Sequence, residues 1–301
     1  PVTKKNKPNM KIVINVFNQI KNYLKPNQSI ILRSTLYPGT SKKIISELKK
    51  KKIGSKVSYC PERVAQGKSI QEIENLPQII SAEDKKEENK IHNLFRKICK
   101  KTISLNFIEA EYSKLFSNAW RYIKFAASNE FFMISNKKGF DYNKVYNAIK
   151  LNYPRNQDLP NSGFAAGPCL PKDAIQLWNS CKGYSNLVYG SYKINQNLPK
   201  FLVSNLNKTN KVKNKYVGIL GTTFKGGIDD ERDSLSLDLK KELIKLKAKV
   251  ITYDPFINKN IINLKKILKK CQIIFIGTPH KSFKKINFKN KHLIDCWNFI
   301  N

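Results

Sequence analysis

The sequence predicts an α/β protein in three parts, with a strand–helix sheet domain at each end and a domain built on one long helix between them. Short apolar runs alternate with helical stretches over residues 29–81 and again over 216–295, the pattern of parallel sheets covered by helices. Between these regions, residues 109–138 contain neither Gly nor Pro and carry apolar side chains at helical spacing. A length of 301 residues, 41% of them hydrophobic, is enough for two or three cores.

The first strand, Ser29-Ile30-Ile31-Leu32-Arg33-Ser34-Thr35, ends in polar residues and the turn Tyr37-Pro38-Gly39-Thr40, and a helix follows through Leu48. Val57-Ser58-Tyr59-Cys60 is the second strand, closed by Pro61-Glu62-Arg63, and Gln78-Ile79-Ile80-Ser81 the third. Ligands of a parallel sheet sit beyond the carboxyl ends of its strands. Thr35 and Glu62 fall at two such ends, although each taken singly is also an ordinary turn or cap residue. From Glu109 to Lys138 the residues Leu115, Ala119, Tyr122 and Ala126 recur on one face until Gly139 offers a stop. A helix of about 30 residues spans roughly 45 Å. That exceeds the needs of a small domain and predicts a domain link or a dimer interface. Lys114 and Asn118 stand four apart on one face of it, where a solvated Lys beside a polar Asn is the default in so Lys- and Asn-rich a chain.

The stretch Gly163-Phe164-Ala165-Ala166-Gly167-Pro168-Cys169-Leu170-Pro171-Lys172-Asp173 sets one thiol in a Gly/Pro-rich loop just before a new helix. Asp173 is expected to cap a helix running through Ala174-Ile175-Gln176-Leu177-Trp178. Cys169 then faces its positive end, and both the dipole and Lys172 favour the thiolate, the form that attacks a carbonyl carbon. A buried structural Cys beside an ordinary cap is the alternative. The second α/β unit begins with strand Tyr216–Gly221 and continues through helix Leu235–Leu246, strand Lys249–Tyr253, strand Gln272–Gly277 and strand His292–Asp295. Gly218 and Gly221 form part of a dinucleotide fingerprint with incomplete spacing, which tight strand–turn packing explains as well. Asn207–Asn214 reads as a polar linker.

The formal net charge of +34 invites a nucleic-acid reading, yet the basic residues are nearly all Lys, spread along every predicted element. No basic–aromatic motif or zinc spacing accompanies them, so the excess reads as a composition bias on solvated faces, and nucleic-acid binding is not expected. The cysteines at 60, 99, 169, 181, 271 and 296 show no CxxC spacing and no disulfide framework, and no signal peptide opens the chain. A reducing cytoplasm fits best. No apolar run approaches a membrane span, the longest blocks being the size of Ile273–Gly277. His92, His280 and His292 lie far apart in sequence, so neither a metal cluster nor a Ser/His/Asp triad is expected.

The order and wording of these motifs resemble the nucleotide-sugar dehydrogenases, the family of UDP-glucose and GDP-mannose 6-dehydrogenases, over nearly the whole chain. The residues that carry the resemblance are Ser34–Thr40, Cys60–Arg63, Glu111 to Lys114 with Asn118 and Asn129-Glu130, Gly163–Asp173, and Phe224-Lys225 with Asp229–Ser234. It implies a truncated N-terminal Rossmann-like NAD-binding domain over residues 1–108, a central helical domain over 109–206 and a C-terminal Rossmann-like UDP-sugar-binding domain over 207–301. The implied reaction is a four-electron oxidation of a sugar C6 alcohol to the carboxylate, with two NAD molecules used in succession. Cys169 would trap the aldehyde as a thiohemiacetal whose oxidation gives a thioester. Lys114 and Asn118 match oxyanion donors, Glu62 and Asp173 match carboxylates tied to proton transfer and water activation, and Thr35 is similar to the Thr that orders water near the nicotinamide. By the same resemblance Thr35, Gln66, Lys172 and Arg232 adjoin the cofactor, and Asp158, Leu159, Pro160, Asn161, Ser162, Ala166 and Lys225 line the sugar nucleotide together with Glu62, Arg63, Lys114 and Asn118. A homodimer or higher homo-oligomer making a polysaccharide precursor is implied too.

Departures from the family narrow this reading. Gln66 stands where UDP-glucose members carry Glu, Arg63 where they carry Phe, and Ala165-Ala166-Gly167-Pro168 replaces their Gly-Gly turn. Cys60–Arg63 and Gly163–Cys169 look more like the branch acting on UDP-N-acetylhexosamines, with Arg155 a further substrate contact; UDP-glucose is the alternative. The opening strand, G-x-G-x-x-G loop and helix that grip the pyrophosphate are not in this sequence. Pro1-Val2-Thr3 resembles the point just after the fourth strand of that domain, so roughly 80–100 residues, about one mononucleotide-binding half, are expected to be missing. Two readings stay open, a fragment of a working dehydrogenase and a truncated non-catalytic chain that binds a sugar nucleotide or a partner subunit. In either case the 301-residue chain expressed by itself is expected not to reduce NAD.

Overall fold

The computed structural model describes residues 2–3, 8–257 and 264–300; Pro1, the residue to which the expected truncation was tied, lies outside them. The chain forms two compact units, one of Pro1–Trp120 with Lys172–Asn186 and the other of Arg121–Pro171 with Leu187–Asn301.

In the first unit, α1 (Lys11–Ile20) buries Phe17, and β1 (Ser29–Leu32) leads through a turn to α2 (Thr40–Lys50). Gly39 precedes that helix at φ +89°, a backbone setting that only glycine adopts without cost. Thr40, Ser41, Ile44 and Leu48 are the buried face of α2, and Ile44 and Leu48 pack with Phe17 and Val57. The unit continues with β2 (Lys56–Tyr59), α3 (Ser69–Asn75), β3 (Gln78–Ala82), α4 (Lys85–Phe95) and β4 (Thr102–Ser104). Asp84 caps α4 by accepting from the Glu87 amide at 2.9 Å.

The sheet order is β1-β2-β3-β4, with β1 and β2 parallel and β3 and β4 parallel. The uniformly parallel sheet expected from the alternation is corrected at its centre, where β2 and β3 run antiparallel through Ser58↔Ala82 and Tyr59↔Ser81. Their connection carries only the seven-residue α3, which buries no side chain. A helix that buries no side chain gives the sheet none of the cover a crossover supplies, and the chain returns antiparallel beside its own strand.

The long helix is α5 (Phe107–Lys138), with 32 residues. Leu115, Ala119, Tyr122 and Ala126 are all buried, as their spacing predicts. It stops where predicted, Gly139 standing at φ +80° with its amide and that of Phe140 both donating to the Ser135 carbonyl. Next come α6 (Tyr142–Lys150), α7 (Leu170–Ser180) and α8 (Asn186–Thr209). The sequence pattern had not marked α8, whose Leu198, Leu202, Val203 and Leu206 enter the main core of the second unit despite an internal Pro199. The expected linker at 207–214 is therefore shortened at its start by the last turn of α8.

The second sheet is built from β5 (Tyr216–Leu220), β6 (Lys249–Tyr253), β7 (Ile273–Ile276) and β8 (His292–Ile294), in the order β6-β5-β7-β8 and parallel throughout. Helices α9 (Leu235–Lys245) and α10 (Leu264–Lys270) accompany it. Gly218 and Gly221 are packing residues, since a Cβ on Gly218 would stand 2.8 Å from Ile267 and one on Gly221 would meet the Thr278 backbone at 2.5 Å. No helix among the described residues is long and apolar enough to cross a membrane.

Candidate active site

Because β1 and β2 are parallel, the residues that follow them lie at the same end of the first sheet. The Glu62 amide donates to the Arg33 carbonyl at 3.0 Å, which ties the two strand ends together. Thr35 is half-buried there, and Gln66 is exposed further along the loop. The Glu62 carboxylate is surrounded by donors: the Arg33 guanidinium at Oε2, and the amides of Arg63 and Val64 at Oε1 at 2.8 and 3.0 Å. Burial pushes this carboxyl up, but the two amides and the Arg33 charge outweigh burial and hold it below the usual value. Glu62 is thus an ionised acceptor held by three donors, with an acceptor site left on Oε2. Arg63, expected on the substrate, donates to the Pro77 carbonyl through one of its guanidinium nitrogens.

Within the same unit, α5 presents Lys114 half-buried and Asn118 buried one turn apart. Asn118 Nδ2 donates to Asp173 Oδ2 at 2.6 Å, and Lys172 and Gln176 Nε2 approach the other carboxylate oxygen, Gln176 at 3.3 Å. Asp173 is fully buried, so these partners offset the cost of placing a carboxylate away from water. The expected capping role of Asp173 is corrected, since α7 already starts at Leu170 and Asp173 lies in its first turn. Pro171 permits the earlier start because the first-turn amides have no intrahelical partner to lose. Lys172, expected at the cofactor, pairs with Asp173. Glu111, also buried, accepts from the Gly39 and Ser41 amides and the Ser41 hydroxyl, fixing the turn that follows Thr35.

In the second unit, Cys169 immediately precedes α7 and is the one exposed thiol of the six. The loop before it is held at several points. Asn129 exchanges hydrogen bonds with the Gly163 carbonyl and amide, and the Gly167 amide donates to the Asp233 carbonyl at 3.1 Å. Gly163 at φ +148° lies against the Trp297 ring, and Gly167 at φ +93° against Phe224, where added Cβ atoms would stand 2.2 and 2.5 Å from ring carbons. Of the expected nucleotide-lining residues, Asp158 pairs with Lys124, and the Leu159 carbonyl accepts from Tyr146 and Lys150. The Pro160 carbonyl accepts from Ser128. Asn161 and Ser162 bond the Trp297 and Cys296 carbonyls at 2.9 and 2.5 Å. Ala166 is buried and Lys225 exposed. Arg155 is exposed on Tyr153, 5.5 Å from its ring centre. Arg232 is exposed and grips Asp230, whose hydrogen bonds and charge raise its pKa.

Sequence reasoning missed Arg33, Gln176 and Trp297. The first directly precedes Ser34-Thr35 and the second stands one helical turn after Asp173, signals that were legible; nothing in the sequence marked Trp297. It also passed over Asp254, whose Oδ2 accepts from the Thr222 and Thr223 amides at 2.7 and 3.1 Å and from His280 at 2.9 Å. Burial raises this carboxyl, but the His280, Phe256, Thr222 and Thr223 donors outweigh burial and bring it down from 3.8 to about 2. A depressed folded pKa adds stability above the unfolded value that is lost as pH falls through the folded one. The melting-temperature difference between the unmodified protein and Asp254→Asn is therefore expected to be full above pH 4 and to shrink towards pH 2. On the order of 2 kcal/mol is at stake. A difference constant across that range, followed by calorimetry, would remove Asp254 from the acid response.

Three models of one family match consecutive stretches of the chain. They are the NAD binding domain of the UDP-glucose/GDP-mannose dehydrogenase family over residues 1–99, its central domain over 108–197 and its UDP binding domain over 218–301. The chain is 32% identical over 292 residues to the UDP-N-acetyl-D-mannosamine dehydrogenase of Pyrococcus horikoshii, an alignment covering 90% of this chain and 69% of that protein. It is 29% identical to the protein of the same name from Methanococcus maripaludis, over 96% of this chain and 70% of the relative. The solved structure of UDP-D-ManNAc dehydrogenase from Pyrococcus horikoshii superposes with a TM-score of 0.90 at 27% identity, covering 100% of this chain and 76% of that one. With three domain models matched in order and a relative this similar over more than two thirds of its length, the chain belongs to the UDP-glucose/GDP-mannose dehydrogenase family, oxidoreductases that use NAD.

Proposed function

We propose that the protein oxidises the C6 alcohol of a UDP-N-acetylhexosamine to the carboxylate through a covalent intermediate on Cys169. The observation that carries this reading is the exposure of Cys169 at the start of α7, while the other cysteines are buried or half-buried. A helix N-terminus favours a thiolate, and an exposed thiolate is available to a carbonyl carbon. The names of the similar proteins from Pyrococcus horikoshii and Methanococcus maripaludis support the N-acetylhexosamine over glucose.

Residues of the first unit fit NAD. The parallel ends of β1 and β2 carry a half-buried polar rim, Thr35 with Glu62, of the kind on which a nicotinamide and its ribose rest in such sheets. Gln66 and Arg232 are assigned to the same cofactor. When bound, NAD accepts the hydride at each of the two oxidations. The remaining steps belong to the chain and its substrate. The hydroxyl proton passes through ordered water to the Asp173 carboxylate, which is assigned as the base, and the Cys169 thiolate adds to the aldehyde to form a C–S bond, the carbonyl oxygen becoming the oxyanion. Loss of the second hydride leaves a thioester, and water cleaves it to the carboxylate and free thiol. Lys114 and Asn118 are assigned to the oxyanion, one as a charge and the other as a donor oriented by Asp173. Glu62, held ionised, is assigned to accept a hydrogen bond from ordered water or substrate. Arg63, Arg155, Asp158–Ser162, Ala166 and Lys225 are assigned to the sugar nucleotide, and the three-part division at 1–108, 109–206 and 207–301 to NAD binding, the central helices and UDP-sugar binding. Homo-oligomerisation belongs to the same reading, supported by Phe116, Trp120, Phe131 and Ile134 exposed along α5.

Initial rates of NADH formation by protein expressed from its full reading frame test the substrate. UDP-N-acetylmannosamine or UDP-N-acetylglucosamine is expected to give a kcat/KM at least about tenfold above that with UDP-glucose, the scale of one recognised polar group. A clear preference for UDP-glucose would sink the choice.

A further inference from the structure

Asp254 and His280 form a buried hydrogen-bonded couple that no step above uses. Asp254 follows β6 and His280 lies four residues beyond β7, and they are 4% and 1% exposed. The Gly227 amide donates to His280 Nδ1 at 3.2 Å, so that nitrogen is the bare one and Nε2 carries the hydrogen. Nε2 stands 2.9 Å from Asp254 Oδ2 and 3.1 Å from Thr223 Oγ1. Thr223 Oγ1 in turn donates to the Lys225 carbonyl at 3.0 Å, and Asp254 takes the amides of Thr222 and Thr223. The ring is stacked on Phe256 at 5.2 Å and edge-on to Phe283 at 5.3 Å.

Apart from the bond between the two side chains themselves, these contacts end on the 222–227 loop, at the Thr222 and Thr223 amides at its start, at the Thr223 hydroxyl that reaches the Lys225 carbonyl, and at the Gly227 amide at its far end. A fold that needed only packing here would bury apolar side chains at lower desolvation cost. What the couple adds is a single conformation for a segment outside both strand and helix. That conformation matters at two points. It presents Lys225 to solvent, and it places the Phe224 ring against Gly167, two residues before Cys169. The arrangement is not a hydrolytic triad, because the hydroxyl and the carboxylate share one ring nitrogen and the other faces an amide.

We propose that Asp254 and His280 are positioning residues that hold the 222–227 loop, and with it Lys225 and Phe224, in the conformation that receives the uridine diphosphate half of the substrate. The inference rests on the proposed role of Lys225 in nucleotide binding and goes beyond it by naming what sets that residue in place. His280→Phe keeps the aromatic packing between Phe256 and Phe283 and deletes all three polar contacts of the ring, to Asp254, Thr223 and Gly227. His280→Gln keeps a donor towards Asp254 and loses the acceptor for Gly227.

The experiment measures UDP affinity by calorimetry and amide exchange of the peptide spanning residues 221–228, on the full chain, for the unmodified protein and both variants. His280→Phe is expected to raise the Kd for UDP at least about tenfold, the scale of one lost charge-assisted hydrogen bond, and to speed exchange of that peptide at least about tenfold while the β5 and β7 peptides stay protected. KM for the UDP-sugar should rise more than kcat falls. Unchanged Kd and unchanged loop exchange in a folded His280→Phe protein would overturn the proposal, because a purely structural pair lowers only the melting temperature. Should His280→Phe not fold, His280→Gln supplies the same two readings, and unmodified-like values there overturn it equally. If the unmodified protein itself does not bind UDP, the nucleotide reading of Lys225 falls and the substrate part of the proposal with it. Loop exchange then decides the rest, faster exchange in the variants supporting the hold on the loop and unchanged exchange overturning it.

Discussion

Cys169→Ser is expected to abolish uronate formation while leaving the first oxidation measurable. A serine hydroxyl is hardly ionised at neutral pH, and a helix N-terminus, which favours a thiolate in the proposed mechanism, does not suffice to ionise an alcohol. The alcohol-to-aldehyde step does not pass through sulfur, so one equivalent of NADH per turnover and an aldehyde trappable with a hydroxylamine reagent should remain. The fold should be indifferent, since the side chain is exposed and the loop is held through Asn129, Gly163 and Gly167. The measurement is product analysis beside NADH stoichiometry, on protein from the full reading frame. Uronate at the unmodified rate would rule out a covalent thioester route and return the residue to loop structure.

Lys114→Ala is expected to lower kcat by about 10²-fold or more with little change in KM, the usual loss when one oxyanion donor is removed. Lys114 is half-buried on α5 one turn before Asn118, whose side-chain amide donates to Asp173, and in the proposed mechanism these two are the donors that a developing alkoxide meets. A charge acting only on the ground state would change KM instead. Steady-state kinetics with saturating NAD separates the two, and an unchanged kcat would make Lys114 a solvated lysine among many.

Much of this architecture was legible in the chain. The period of Leu115, Ala119, Tyr122 and Ala126 and the stop at Gly139 located α5 to within two residues, because a long helix without Gly or Pro leaves the backbone few alternatives. The second sheet was equally plain, since strands buried on both faces read as apolar blocks. The antiparallel β2–β3 pairing was not, because the link from Tyr59 to Gln78 is long enough to return a strand in either direction and only packing against the rest of the sheet decides. The start of α7 was misjudged by four residues, Asp173 looking like a cap when its side chain had a better partner in Asn118, 55 positions away. Fixed partners for Glu62 and Arg63 were hidden for the same reason: Arg33 and the Pro77 carbonyl reach them through the sheet.

The sequence by itself determined the α/β class, the long helix, the family and which thiol stands in an irregular loop, because periodicity, turn chemistry and motif order are local properties of a chain. The tertiary structure decided how charges are partnered. Glu62 became an ionised acceptor, Lys172 the companion of Asp173, and three histidines scattered in sequence yielded one, His280, joined to Asp254 beneath the Lys225 loop. Burial removes water as the default partner of a polar group, and what replaces it is whatever the fold brings within about 3 Å, a matter of long-range packing that no local pattern records.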